Sequence, residues 1–434
     1  MEWYVFLSGA FVLLLALFAV GLPVFIAFLA LNLAGLYLIS GNFNGVTLII
    51  NSMFSTSTSL SLAAIPLFVL LGELLFRSGS VKILFDAVDG LVGNIRARLY
   101  VVSILLSTLF GALSGSAMAV AAMMGSSLWP EMKARKYDLK LSMGTILAGS
   151  SLAPIIPPSV MAIVLGMLAN VSISSLLVAG IVPGLVLSAM FLVYVIIRTR
   201  INPGLAPVSD EASLPLRTRV GLVVKALPFL LIIGVVLGFI LGGIATPTES
   251  AAMGCVAAVI VCAMFGNLNW PTIRDSLRST ASISAMIMII MACSVSFSQV
   301  LNMSGATFEL VRAVTELALP LVLMFILLQI VPFVLCMFID QVALMIMLVP
   351  LYTPIVNALG FDPLWFWTIF LINMAIGGIT PPFGYTLFAL KGVIPEATIQ
   401  SVYRSALPFI GICLVAIALF ALFPGIITAV PALL

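Results

Sequence analysis

Gly149-Ser-Ser-Leu-Ala-Pro-Ile-Ile-Pro-Pro-Ser159 and Gly377-Gly-Ile-Thr-Pro-Pro-Phe-Gly384 decide how this chain is read. Each places a double proline inside a charge-poor apolar run. Proline lacks a backbone N–H and clashes with the preceding turn, so each pair breaks its helix. About 40 residues before each break, another apolar run carries a polar interruption: Ser114-Gly115-Ser116 in the first half, Asp340-Gln341 in the second. Interrupted helices at matching positions in two halves point to a transporter's binding site.

The rest of the chain fits a membrane setting. Of its 434 residues 63% are apolar and 8% charged, with a mean hydropathy of +1.31, which no ordinary soluble domain shows. The apolar runs are continuous rather than alternating, which argues for helices and against an outer-membrane barrel. The first run has no basic leader and flows into a second apolar segment, unlike a cleavable signal. Cys255, Cys262, Cys293, Cys336 and Cys413 sit in apolar stretches without metal-type spacing and read as small core residues. There is no histidine, no Walker A loop and no nucleophile–base constellation, so the chain does not read as an enzyme or an ATPase. A net charge of +3 calls for no nucleic-acid partner.

Ten spans are predicted near residues 3–20, 23–39, 61–76, 139–169, 174–197, 226–243, 249–265, 282–301, 363–390 and 405–424. Residues 40–60 suit a short interfacial segment. Every basic residue except Arg312 falls in the stretches 77–98, 131–140, 198–225, 266–281 and 391–404. These share one face only if 101–129 and 321–350 are re-entrant hairpins. The positive-inside rule makes that face cytoplasmic and puts both termini outside. The expected fold is an all-α polytopic membrane protein with inverted-topology repeats. The first repeat is 1–197, with hairpin 101–129 and broken helix 139–169. A cytoplasmic linker, 198–225, holds Asn202-Pro-Gly-Leu-Ala-Pro207 and Asp210-Glu211. The second repeat is 226–434, with hairpin 321–350 and broken helix 363–390. Hairpins from opposite faces meeting broken helices suit alternating access rather than a standing pore.

A broken helix frees carbonyls for a small cation and amides for a carboxylate. Pro157, Pro158, Pro381 and Pro382 enforce the breaks. Ser159 and Thr380 add hydroxyls, and Gly377, Gly378 and Gly384 allow close backbone approach. At the first tip, Ser114, Gly115 and Ser116 offer hydroxyls to a ligand or close helix packing through small residues. Asp340, an ionisable group in an apolar hairpin, is a candidate to ligate Na⁺, carry a proton or cap the tip. Gln341 suits either substrate binding or locking of the tip. Ser294, Ser296, Ser298 and Gln299 are candidates to line the cavity. Thr246-Pro247-Thr248-Glu249 reads foremost as a helix cap, with an ion or substrate role as the alternative. Glu73 reads as an ion-pair or interface residue.

The segments Phe110-Gly-Ala-Leu-Ser-Gly-Ser-Ala117, Leu152-Ala-Pro-Ile-Ile-Pro-Pro-Ser159, Gly243-Ile-Ala-Thr-Pro-Thr-Glu-Ser-Ala-Ala252 and Asn373-Met-Ala-Ile-Gly-Gly-Ile-Thr-Pro-Pro-Phe-Gly384 resemble the large membrane subunit of tripartite ATP-independent periplasmic (TRAP) transporters. Ala64-Ile-Pro-Leu-Phe68 and Leu348-Val-Pro-Leu-Tyr-Thr-Pro-Ile355 fit as well. The resemblance runs from about residue 5 to 425. It implies a scaffold with an elevator-type transport domain in the bacterial inner membrane. It also implies uptake of an organic anion such as a dicarboxylate, sialic acid or keto acid, coupled to an ion, usually Na⁺. The implied partners are a periplasmic binding protein and a small four-helix membrane subunit. The implied ion sites fall at Ser114–Ser116 with Ala153–Ser159, Pro154 and Pro157 included, and at Asp340 with Gly377, Thr380 and Pro381. Substrate would lie between them. Two departures stand out. Ala153-Pro154 replaces a common Gly-Ile, which alters the carbonyls nearby, and Cys336 replaces a common Gly. No four-helix segment precedes residue 1, so the small subunit is expected on a separate chain. The alternative reading is a stand-alone sodium/anion symporter or antiporter.

Overall fold

The structure, a computed structural model, describes residues 2–41, 46–77, 79–93, 95–207 and 215–433. Asp210 and Glu211 of the expected linker lie outside these residues. The described chain is all helix and turn. The first half contains α1 (Trp3–Ala19), α2 (Val24–Ser40), α3 (Val46–Ser57), α4 (Ala64–Arg77), α5 (Ser80–Val92), α6 (Arg98–Ser114) and α7 (Ala117–Ser127). It continues with α8 (Trp129–Ala134), α9 (Leu139–Ser150), α10 (Val160–Leu168), α11 (Ile173–Ala179) and α12 (Ile181–Ile201). The second half contains α13 (Leu216–Leu241), α14 (Pro247–Met264), α15 (Trp270–Met303), α16 (Ala306–Glu316) and α17 (Leu321–Cys336). It ends with α18 (Gln341–Ala358), α19 (Pro363–Gly377), α20 (Tyr385–Val393) and α21 (Ile399–Leu422).

Among the described residues seven helical stretches are long and apolar enough to cross a membrane. Six match expected spans, and the seventh is the hairpin arm α18. The other expected spans fall short for physical reasons. The helices α1 and α2 have 17 residues each, about 26 Å at 1.5 Å per residue. The two broken spans are interrupted by their prolines. Three stretches outside the expected spans contain helix. The helices α5 and α16 are amphipathic, and α15 extends 12 residues before its expected start at 282 because a polar helix persists beyond the apolar run. The helices flanking the linker also run further, to Ile201 and from Leu216.

The two proline pairs lie 224 positions apart, and both Pro–Pro bonds are cis. The same spacing carries Ser116, the cap of α7, onto Asp340, the cap of α18. The order hairpin, broken helix, long helix therefore recurs in one register, without insertion.

The helices sort into two packed groups. In the first, α14 and α15 lie along α4, α15 also meets α2 and α3, and α13 meets α14 and α5. Gly254 admits this closeness, because a Cβ there would lie 2.8 Å from Val236 and 3.0 Å from Leu71. Cys255 and Cys262, seven residues apart, donate to the carbonyls of Leu67 (3.1 Å) and Leu74 (3.5 Å). All five cysteines are buried. Glu73 ties α4 to α15, accepting from Arg77 (3.0 Å) and Ser279 (2.7 Å). Buried Asn32 donates to the Cys293 carbonyl at 2.8 Å, joining α2 to α15.

The second group holds both hairpins and both broken helices. There α9 packs on α6, α7 and α21; α7 on α20; α17 on α19; and α18 on α10 and α19. Gly125 lets α7 seat against the Leu390 and Val393 side chains of α20. Elements from the two halves thus interleave in one body. It meets the first group where α6 packs on α5 and α4, where α10 faces α4 and where α18 faces α15.

Candidate functional site

The first hairpin turns at Gly115, whose φ of +61° is the left-handed conformation that glycine adopts freely. Ser116 then caps α7, accepting from Ala119 N at 3.3 Å, while Ser114 Oγ accepts from Ser116 N at 3.3 Å. A Cβ on Gly115 would lie 3.4 Å from both Pro158 O and Val160 N, so this tip rests on the first break. Gly111 similarly faces the Ala153 backbone. The break closes on itself. Ser159 Oγ donates to Pro154 O at 2.5 Å and accepts from Ala162 N at 3.2 Å, capping α10. Residues 151–159 are buried, covered in part by α11 and α12, where Gly180 and Gly184 pass close to Ile155 and Ile156.

The second tip is built differently. Asp340 caps α18, with Oδ2 accepting from Val342 N at 3.0 Å and Ala343 N at 3.3 Å. The residue itself is exposed. Gln341 is fully buried and turns back onto the break, donating through Nε2 to Met374 O. Of its two sequence readings, the one that locks the tip matches this bond. Cys336 Sγ reaches the same carbonyl at 3.5 Å and sits against Gly377. Phe383 N donates to Met337 O at 3.1 Å, joining break to tip. Within the break, Gly384 N donates to Thr380 O at 3.1 Å and Thr386 N to Gly378 O at 3.1 Å. Thr380 Oγ1 donates to Ile376 O at 2.8 Å. Pro381 and Pro382 are half-buried, and Phe383 is exposed. The second site is therefore the more open of the two.

The donor set is made of oxygens of the hard kind. Ser159 spends its hydroxyl proton on the Pro154 carbonyl within the break and accepts from Ala162 N, and Thr380 spends its own on the Ile376 carbonyl of α19, so each oxygen keeps a lone pair as acceptor. Among the described residues no cluster of three His, Cys, Asp or Glu exists to hold a transition metal. Carbonyls, hydroxyls and a single carboxylate are oxygen ligands of the hard kind.

Several candidates lie elsewhere. Ser296 is buried and donates to Ala292 O of its own helix, while Ser294 donates to Ile346 O, pinning α15 to α18. Gln299 is half-buried on α15 with Oε1 unbonded. Thr246 and Glu249 form a full capping box on α14, with Pro247 at its start. Glu249 Oε2 accepts from Thr246 N and Oγ1, each at 2.8 Å. The capping reading of that motif holds.

Two features escaped the sequence reading. Asn373 Nδ2 donates to Gln329 O (2.7 Å) and Gln329 Oε1 (3.1 Å), clasping the outer hairpin arm to α19. Asn373 was visible inside a motif, but its partner 44 residues away was not. Tyr403 OH donates to Pro382 O at 2.5 Å, bracing the second break from α21.

The fold is similar to that of the Alcanivorax borkumensis YdaH transporter, with a TM-score of 0.65 and 15% identity over 89% of this chain and 90% of that one. Sequence relatives are nearer. The ectoine TRAP transporter large permease of Halomonas elongata is 31% identical over 95% of this chain and 96% of its own length. The C4-dicarboxylate TRAP large permease of Pseudomonas aeruginosa is 32% identical over 87% and 88%. The sialic acid TRAP large permease of Vibrio cholerae is 30% identical over 96% and 97%. The DctM component of tripartite ATP-independent periplasmic transporters matches residues 11–426. With the proline-broken helices, capped hairpins and interleaved body in place, the chain belongs to this large-permease family of TRAP transporters.

Proposed function

We propose that this chain carries a small organic acid inward across the bacterial inner membrane, driven by Na⁺. The carrying observation is the doubled device, a capped hairpin tip against a proline-broken helix, repeated in one register. Na⁺ binds among the carbonyls and hydroxyls of Ser114, Ser116, Pro154 and Pro157 in the first half. In the second it binds at Asp340, Gly377, Thr380 and Pro381. Substrate lies between the tips, contacting Ser114, Gly115, Ser116, Ser159 and Thr380, with Gln299 on the α15 side, while Gln341 holds the second tip in place and Ser296 stays bonded within its own helix. Pro158, Pro382, Gly384 and the Thr246–Glu249 cap hold the geometry. The two inverted repeats, 1–197 and 226–434, each supply one tip and one break. The second helix group moves against the first as an elevator.

A periplasmic binding protein delivers the substrate, and a separate small four-helix membrane subunit completes the scaffold. Both termini face the periplasm. The substrates in the relatives' names, ectoine, C4-dicarboxylates and sialic acid, all carry a carboxylate, which supports an organic acid here.

The test is uptake of a radiolabelled organic-acid panel into proteoliposomes holding this chain and its small subunit, with binding protein outside. Uptake that needs both the Na⁺ gradient and the binding protein is expected. Uptake indifferent to the binding protein identifies a stand-alone carrier instead.

A further inference from the structure

Ser294 bonds across the boundary between the two helix groups. It lies on α15, fully buried, and its Oγ donates to the Ile346 carbonyl of α18 at 3.0 Å. A carbonyl inside an α-helix is ordinarily taken by the amide four residues on. Four residues after Ile346 stands Pro350, which lies inside α18 and has no N–H to give. The proline therefore frees a carbonyl in a buried interface, and a serine of the other group supplies the donor. Without that donor the buried carbonyl is left at a cost. Arg98 and Asp89 also bond across the two groups, at 2.8 and 2.6 Å. They sit where the chain itself passes from α5 to α6, so a sliding movement need not part them.

The first half does not repeat this bond. The 224-residue register places Leu70 opposite Ser294, Ala122 opposite Ile346 and Ser126 opposite Pro350. Leu70 offers no donor, and Ser126 keeps the N–H that a helix gives to the carbonyl four residues back. There Gly72 and Phe76 of α4 face Val120 and Met123 of α7 across an apolar gap. Inverted repeats with matching contacts would favour the two ends of a stroke alike. A bond made by one repeat only favours one end, because it exists in one position and not in the other.

We propose that Ser294 and the proline-freed Ile346 carbonyl form a latch that holds the second group at the position seen here, and that its release is a step of each transport cycle. This rests on the two-body movement assigned above. When α18 slides along α15, the Ser294 hydroxyl and the Ile346 carbonyl part, and no amide of α18 takes the carbonyl over. The latch thus weights the equilibrium between the two positions toward this one.

The experiment is single-molecule energy transfer between maleimide dyes on Leu277→Cys in the first group and Lys140→Cys in the second, in the chain reconstituted with its small subunit. Both positions are exposed, and all five native cysteines are buried, which leaves the engineered pair to react. Two distances are expected, one of them matching the structure. Ser294→Ala should lower the ratio of that population to the other by about fivefold or more. Pro350→Ala gives the Ile346 carbonyl an amide of its own helix. Adding Ser294→Ala to it should therefore change the ratio by less than about twofold. Ser294→Thr keeps a donor and should resemble wild type, and it serves as the comparison if Pro350→Ala does not insert. An unchanged ratio in Ser294→Ala overturns the latch and leaves two-position transport standing. An equal drop with and without Pro350→Ala, or in Ser294→Thr, does the same. A single distance in every variant, with and without Na⁺, overturns the latch and the two-body movement together.

Discussion

Ser116 and Asp340 hold the same position in the two hairpins and do the same local work. The Ser116 hydroxyl accepts from Ala119 N, and the Asp340 carboxylate accepts from Val342 N and Ala343 N. Each closes the open N–H groups of the helix after its tip. A neutral oxygen suffices in the first hairpin, so the negative charge in the second exceeds what capping requires. That surplus charge, on an exposed residue beside a broken helix, is the basis for assigning Asp340 a role in coupling.

The Thr246–Glu249 box makes a prediction independent of transport. Thr246→Ala removes the acceptor for Glu249 N and leaves the start of α14 uncapped. A stability loss of about 0.5–2 kcal/mol is expected, with Thr246→Ser close to neutral. Thermal unfolding of the detergent-solubilised protein checks this, and equal loss in both variants would contradict it.

Close packing of the first hairpin depends on Gly149. A Cβ there would overlap Ser107, with Ser107 Oγ only 2.6 Å away. Gly149→Ala is expected to destabilise by about 1–3 kcal/mol. Pairing it with Ser107→Gly should recover most of that loss. Without recovery in the double variant, the contact is not what limits the site.

Gln341 anchors the second tip through the buried Met374 carbonyl. Gln341→Leu leaves that acceptor without the side-chain donor, at a cost of about 1–3 kcal/mol. The tip should open more often, so a thiol-reactive probe should label Cys336, which is buried against Gly377, faster than in wild type. An unchanged labelling rate would show that the tip is held by other contacts.

A pH-dependent tie joins the two halves. Glu396 accepts from Trp129 Nε1 (2.8 Å) and Lys133 Nζ (2.6 Å), linking α8 to the segment after α20. The Lys133 bond, then the Trp129 bond, hold its carboxyl below its ordinary value of 4.5. A depressed folded-state value means the tie is fully present above the ordinary value. It is lost only as pH falls through the lower one. The tie should therefore be constant from neutral pH down past 4.5 and then weaken. Fluorescence of Trp129, with the other tryptophans replaced, should follow that course in wild type and be flat in Glu396→Gln.

The breaks, the caps and the repeat were legible in the sequence because their chemistry is local. Pro157-Pro158 and Pro381-Pro382 remove donors wherever they lie, and Thr246-Pro-Thr-Glu249 contains its own cap. The helices α5 and α16 are less legible because they are short, carry charges and show only an amphipathic period rather than a continuous apolar run. Contacts such as Asn373 with Gln329, Gln341 with Met374 and Tyr403 with Pro382 join distant segments, and no spacing rule reaches them. The Ser296 hydroxyl illustrates the remaining limit. Its residue type suited a cavity, but its rotamer satisfies its own helix. The grouping of helices into two bodies likewise arises from packing, where Gly125 and Gly254 admit neighbours that only the folded chain supplies.

The most direct test of the central claim is Na⁺-driven uptake by Asp340→Asn in the reconstituted three-component system. Asparagine caps a helix about as well as aspartate, so insertion and thermal stability should match wild type. Uptake driven by the Na⁺ gradient should fall to background, because the charge that completes the second ion site is gone. Wild-type Na⁺-driven uptake in Asp340→Asn would show that Asp340 is only a cap and would contradict the assignment of the second tip to ion coupling.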